Sequence, residues 1–277
     1  MNDHVISATE QLYEISKQVR GSIIEMSCRS KASHLASSLS CVDILVAAYW
    51  RVLKIDPSDP DRSDRDRLIL SKGHAAQAIY ASLAHRGFFD LTALENYNTN
   101  NGPMAEHPGP KCMPGIEAAT GSLGHGLSLG LGMAMSSRLT EKDYQVFVIL
   151  GDGECNEGSI WEAAMYASGQ KVNNLIAIVD CNGWQGTGRS ERICSIEPLV
   201  SKWEAFGWKT AEIDGHDMEK LTTTMESARD CRDRPTAIIA RTIKGKGVSF
   251  MEDDNNWHYR IPTEAELDAS KRELGLL

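Results

Sequence analysis

The stretch Val146-Phe147-Val148-Ile149-Leu150-Gly151-Asp152-Gly153-Glu154-Cys155-Asn156-Glu157-Gly158 decides the fold. Its first five residues form an unbroken apolar run, as expected of a strand buried on both faces. The remainder, GDGECNEG, is a loop. Ser159 to about Gln170 then has the pattern of a helix, and Leu175 to Val179 is a second apolar run. Strand, helix and strand in that order make a βαβ unit and therefore a parallel sheet. The predicted class is α/β, with a parallel central sheet flanked by helices on both faces.

Upstream, Leu12, Ile15, Val19, Ile23 and Met26 recur at helical spacing, which predicts a helix from about Ser7 to Cys28. A second helix is expected from about Cys41 to Leu53, closed by Pro57 and Pro60. Arg67 to Leu70 suits a short strand, Ser71-Lys72-Gly73-His74 a turn, and Ala75 to His85 a helix. Residues 98–122 hold too many Gly and Pro residues for regular structure, and so long a loop in a compact domain is usually functional or disordered. A tightly packed helix follows over Gly124 to Arg138. Downstream, helices near Pro198–Phe206 and Met218–Cys231, a strand at Thr236–Ala240 and a last helix at Pro262–Leu274 complete the pattern. No repeat or linker divides it, so residues 1–277 are expected to form one domain.

With 29 Lys and Arg against 38 Asp and Glu, the net charge is −9. That balance, with no basic run, speaks against nucleic acid as a partner. The seven cysteines are scattered and form no CxxC pair. No segment approaches the roughly 18 apolar residues of a membrane span, and no secretory leader is visible. A cytoplasmic protein without a membrane partner is expected.

The chemistry is expected just beyond the carboxyl ends of the strands, where open α/β sheets bind ligands. Gly151 and Gly153 permit a tight turn close to a ligand, and the next helix offers N–H groups to an anion. Asp152 between them would repel a phosphate unless a cation bridged the two. The second strand ends in Asp180-Cys181-Asn182-Gly183-Trp184 at the same edge. The Asp152 carboxylate, the Asn182 amide oxygen and the Trp184 main-chain carbonyl are hard oxygen donors of the kind Mg²⁺ shares with phosphates.

This GDG, followed some 30 residues later by a strand-terminal Asn, resembles the thiamine diphosphate motif. Other segments resemble the transketolase family, in its order, across nearly the whole chain. SKASHLASSLSCVD (30–43) is similar to the first histidine segment of that family and SKGH (71–74) to the second. Glu106-His107-Pro108 with Thr120-Gly121-Ser122-Leu123-Gly124 resembles the third, and IKGKGVSFMEDDNNWHYR (243–260) the closing loop. The resemblance implies a thiamine diphosphate-binding fold with Mg²⁺ on Asp152, Asn182 and Trp184, where Ca²⁺ or Mn²⁺ can substitute. It implies cofactor contacts from His74, Gly121, Ser122, Leu123, Gly151, Gly153, Glu154 and Asn182. His34, His107 and His258 would line the substrate channel, and Glu157 would reach the partner's glutamate.

His4, His85 and His216 lie outside these segments and suit surface or satisfied core roles, and Lys244 with Lys246 suits a solvated charge pair equally well. The chain departs from the family pattern at Ser33 and Glu106, where glycine is usual, and in the loop GPKCMPG (109–115). His125, Trp184 and Gly186-Thr187-Gly188 depart from it too. These changes fall at the walls of the site and leave the substrate open.

A conventional transketolase is more than twice as long, its second domain supplying the glutamate that activates the cofactor. The resemblance therefore implies a separate C-terminal, pyrimidine-binding subunit, an α2β2 heterotetramer, and ketol transfer between sugars or sugar phosphates. Three alternatives stay open at this point: the alpha subunit of a 2-oxo-acid dehydrogenase component, a ketol transferase with an acceptor such as a carrier protein, and a non-catalytic binding protein.

Overall fold

The computed structural model describes residues 7–277, so His4 lies outside the described residues. Five strands, β1 (Arg67–Leu70), β2 (Val146–Gly151), β3 (Leu175–Cys181), β4 (Lys209–Asp214) and β5 (Thr236–Arg241), form one sheet in the order β1-β2-β3-β5-β4. Every pairing is parallel. The helices are α1 (Ala8–Ser30), α2 (Leu35–Ser40), α3 (Val42–Ala47), α4 (Ala76–Arg86), α5 (Gly126–Leu139), α6 (Gly158–Gly169), α7 (Ser190–Cys194), α8 (Leu199–Ala205), α9 (Met218–Arg229) and α10 (Glu264–Glu273).

Side chains alternate across a strand, so each buried strand serves two cores. Phe147 and Ile149 of β2, with Ile176, Ile178 and Ile238, pack against α1, α3, α4 and α9. Val146, Val148 and Leu150, with Ala177, Val179 and Ile239, face α5, α6 and α8 on the other side. The unbroken apolar runs of β2 and β3 thus fill both cores at once.

Two segments differ from the sequence prediction. The helix expected over Cys41–Leu53 is present as α3 running directly into a wide π-type turn over Ala48–Val52, but α2, set off from it by a break at Cys41, was not anticipated. Helix α2 is short and half serine; beside the buried Leu35, Ala36 and Leu39 its hydroxyls are satisfied inside the protein. Ser38 Oγ donates to the His34 carbonyl at 3.1 Å and Ser40 Oγ to Asp180 at 2.6 Å. Strand β4 is the other difference. It lies at the sheet edge with a largely solvent-facing sequence, KTAEID, and so lacks an apolar run.

Candidate active site

Because the strands are parallel, β1, β2, β3 and β5 all end at one edge. The register pairs Gly151 with Asp180 and Asp180 with Ala240, which sets the turns after β2, β3 and β5 side by side. Between them opens a cleft of about 440 Å³. His34, His74, His107 and His258 line it, with Gly121, Leu123, Gly151, Asp152, Gly153, Glu154, Glu157, Asn182 and Trp184. Ser122 is outside that lining; its exposed hydroxyl lies 3.2 Å from His125 Nδ1.

Close approach of turns shapes the wall. A Cβ on Gly73 would stand 2.4 Å from the Thr120 carbonyl carbon, so the SKGH turn and the 120–124 turn can touch only without one. Gly121 has φ +130°, and a Cβ there would enter the His107 ring at 2.5 Å. Both glycines therefore fix where His74 and His107 stand.

Asp152 is buried, yet no ammonium or guanidinium pairs with it among the described residues. Its Oδ1 accepts from Gly153 N at 2.9 Å, and its Oδ2 accepts from Gly183 N and Ser190 Oγ, both at 2.9 Å. Burial pushes its carboxyl up to about 6, against the pull of the Ser190 and Gly153 donors. Asn182 Oδ1 accepts from Trp184 N at 3.1 Å, which folds residues 182–184 back beside Asp152. Among the described residues no cluster of three or more His, Cys, Asp or Glu side chains could hold a metal alone. One carboxylate, one amide and one main-chain carbonyl are an incomplete set of hard oxygen donors, which suits a cation completed by phosphate oxygens. The residues present therefore fit Mg²⁺ with a diphosphate.

Glu154 has a different occupation. Its carboxylate accepts from the Ser71 hydroxyl, from Gly124 N at 2.9 Å and from Gly151 N at 3.0 Å. It binds the turns after β1 and β2 to the start of α5.

Beneath the histidines lies a buried ionic floor that the sequence reading missed, although Lys72 belongs to the SKGH segment. Lys72 pairs with Asp180 and donates to the Ser37 carbonyl at 2.7 Å. Burial opposes the Lys72 charge, but Asp180 more than restores it and holds the ammonium above its ordinary value. Lys244 is buried, not solvated, and donates to Asn255 Oδ1 at 2.7 Å and His258 Nδ1 at 2.9 Å. Burial, then Lys72, lowers it to about 8. Lys246 remains part-exposed and pairs with Glu252.

The histidine rings cluster around His34, whose centroid lies 5.0 Å from His258, 5.3 Å from His74 and 6.0 Å from His107. Burial, then Lys72, keeps His74 well below its ordinary value. Burial, then Lys244, takes His258 down to about 3. These two rings are neutral at pH 7, able to donate at one nitrogen and accept at the other.

His85 and His216 stand apart, as expected. His85 Nε2 meets Ser22 Oγ at 2.9 Å. His216 Nδ1 lies 2.7 Å from Asp43, which also holds Arg20 through two bonds, and its Nε2 accepts from Ile243 N. A wider hollow of about 680 Å³ lies beside His216, but this ring is already satisfied on both sides.

Comparison with known proteins agrees with this geometry. The family model described as "Transketolase, thiamine diphosphate binding domain" matches residues 14–277. An apulose-4-phosphate transketolase subunit of Phocaeicola vulgatus is 39% identical, over 94% of this chain and 92% of that protein. The 6-deoxy-6-sulfo-D-fructose transketolase subunit SqwG of Clostridium sp. is also 39% identical, over 96% and 98%. Human transketolase is 36% identical over 90% of this chain, which spans only 40% of its length. Among solved structures, transketolase from Campylobacter jejuni superposes with a TM-score of 0.89 at 29% identity, covering 95% of this chain and 42% of that one. The chain thus belongs to the transketolase family, carries its thiamine diphosphate-binding domain, and matches in length the relatives named as separate transketolase subunits.

Proposed function

We propose that this chain is the diphosphate- and Mg²⁺-holding half of an enzyme that moves a two-carbon ketol unit from a ketose to an aldehyde. A separate pyrimidine-binding subunit completes it in an α2β2 heterotetramer. The observation that carries this proposal is Asp152, a buried carboxylate without a cationic partner among the described residues, set beside Asn182 under four converging histidines.

When bound, thiamine diphosphate supplies the electron sink that lets a carbon–carbon bond beside a ketose carbonyl break and re-form. Asp152, Asn182 and the Trp184 carbonyl hold the cation. Gly151, Gly153, Glu154 and His74 form the diphosphate side of the cleft, and Gly121 and Leu123 the aminopyrimidine side. His34, His107 and His258 hold sugar hydroxyls in place and move their protons. Glu157, exposed at the rim, faces the partner subunit. Helices α5 and α6 start beside it and leave Leu129, Met165 and Tyr166 exposed, the kind of apolar surface a partner covers. The described residues act as one domain in this scheme, since both cores share one sheet.

Relatives named for a phosphorylated and a sulfonated sugar support a sugar bearing an acidic group as substrate. The seven cysteines, all unpaired, support a reducing compartment such as the cytoplasm. No helix among the described residues is long and apolar enough to cross a membrane.

Calorimetric titration with thiamine diphosphate and Mg²⁺, on the chain alone and with its partner, tests the proposal. Tight binding in the complex, lost in Asp152→Ala, is expected, followed by ketol transfer among ketose donors. Absence of binding in both states would remove the cofactor. Release of CO₂ from a 2-oxo acid without ketol transfer would replace the reaction.

A further inference from the structure

Two residues that depart from the family pattern, 73 positions apart, meet at His34. Ser33 Oγ donates to Glu106 Oε1 at 2.7 Å. His34 Nδ1 lies 3.1 Å from that same carboxylate oxygen and 3.1 Å from Ser33 Oγ. A carboxylate can only accept, and the Ser33 hydrogen is already directed at it. Both neighbours of Nδ1 therefore require a proton on that nitrogen. The neutral His34 ring carries its hydrogen on Nδ1 and keeps a lone pair on Nε2, which bonds nothing among the described residues.

His258 has the opposite arrangement. Its Nδ1 faces Lys244 Nζ at 2.9 Å, with Ser37 Oγ at 3.2 Å. An ammonium can only donate, so Nδ1 accepts and the ring hydrogen sits on Nε2. The His34 and His258 centroids are 5.0 Å apart, with planes at 87°. One ring is set to receive a proton and its neighbour to offer one.

We propose that Ser33 and Glu106 are positioning residues that make His34 the proton acceptor of the cleft, opposite His258, which Lys244 fixes as a hydrogen-bond donor. This rests on the cleft being the sugar site proposed above. A sugar hydroxyl in the cleft, within reach of both Nε2 atoms, donates to His34 Nε2 and accepts from His258 Nε2–H. In the transfer the hydroxyl O–H bond breaks and an N–H bond forms at His34 Nε2. The electron pair stays on the sugar oxygen, where the His258 donor stabilises it. The imidazolium formed at His34 points its Nδ1–H at the Glu106 carboxylate, which offsets the new charge.

The surrounding charges fit these roles. Burial lowers the His34 pKa and Glu106 resists that fall, while His107 and Lys244 reinforce it. His258 faces Lys244, His34 and Lys72, all of which disfavour a positive ring. Asymmetry between the two rings therefore comes from Glu106, which pairs with His34 and not with His258.

Nitrogen-15 NMR of the histidine-labelled full chain reads the tautomers directly, without cofactor or substrate. Signals are assigned with His34→Gln and His258→Gln. Hydrogen on Nδ1 of His34 and on Nε2 of His258 is expected near neutral pH. In Glu106→Ala the His34 preference is lost, while His216, held by Asp43 and the Ile243 amide, keeps its Nδ1–H signal and reports an intact fold. In Glu106→Gln the His34 titration moves to lower pH, and Glu106→Asp restores part of the shift.

A wild-type His34 protonated on Nε2 would overturn the proposal. So would a His34 signal unchanged in Glu106→Ala. Should that variant unfold, the Glu106→Gln titration decides alone. In the reconstituted enzyme Glu106→Gln is expected to lower kcat at least about tenfold with a smaller change in KM. The acid limb of its pH profile moves downward with the titration. Expected tautomers in a chain that transfers no ketol unit would refute the reaction and leave the positioning intact. Ketol transfer with the wrong tautomer would do the reverse.

Discussion

Single side chains in the cleft carry opposite loads of stability and chemistry, and Lys244 shows it best. In the unfolded chain a lysine keeps its proton to about 10.4, whereas burial makes Lys244 release it near 8. Between those values the unfolded state binds more protons, so stability rises with pH there. Below 8 the folded protein bears the full penalty of a buried ammonium, on the order of 2–3 kcal/mol. Lys244→Met is therefore expected to raise stability at pH 7 by about 1–2 kcal/mol in urea denaturation, after loss of the Asn255 bond. The same variant should turn over at least about tenfold more slowly, because His258 loses what fixes its ring. Wild-type turnover should fall as pH rises through about 8, a limb absent in Lys244→Met. A stable variant with unchanged turnover would contradict this role. From sequence, Lys244 could equally be a solvated charge, since one residue's position says nothing of what folds over it. Glu106 was visible only as a departure from a pattern; its contact with Ser33 depends on two distant segments meeting.

The turns that present these groups are tied to one another more than to the cores. Glu154 joins the turn after β1, the turn after β2 and the start of α5 through three donors. Glu154→Ala leaves the buried Gly124 and part-buried Gly151 N–H groups unpaired, which should cost about 2–4 kcal/mol in urea denaturation. A loss within experimental error would mean that water replaces the carboxylate. Elements whose burial is two-sided were legible in the sequence: β2 and β3 announce themselves as apolar runs, and α1 by its spacing. Strand β4 was not, because an edge strand facing solvent needs only backbone pairing. Helix α2 was not either, since a buried helix of serines satisfies its hydroxyls on its own carbonyls and on Asp180, and no periodicity records that. The same limit applied to Lys72 and Asp180, whose pairing is a matter of tertiary closure.

For the whole molecule, the exposed faces of α5 and α6 offer a test of the proposed assembly. Met165 is 62% exposed and Tyr166 50%. Replacing both by Asp should weaken association with the partner at least about tenfold, measured by size-exclusion chromatography and titration, with circular dichroism unchanged. Unaltered association would move the interface elsewhere. The sheet, meanwhile, keeps its two apolar faces wholly for the cores and gives the cleft only the turns beyond its strand ends. Drift is partitioned accordingly. Apolar exchanges on either side of the sheet can accumulate over long descent without reaching the chemistry, whereas, in the proposed scheme, a replacement at Ser33 or Glu106 alters it in one step. The proton chemistry of the cleft can thus change in a lineage whose architecture stands still.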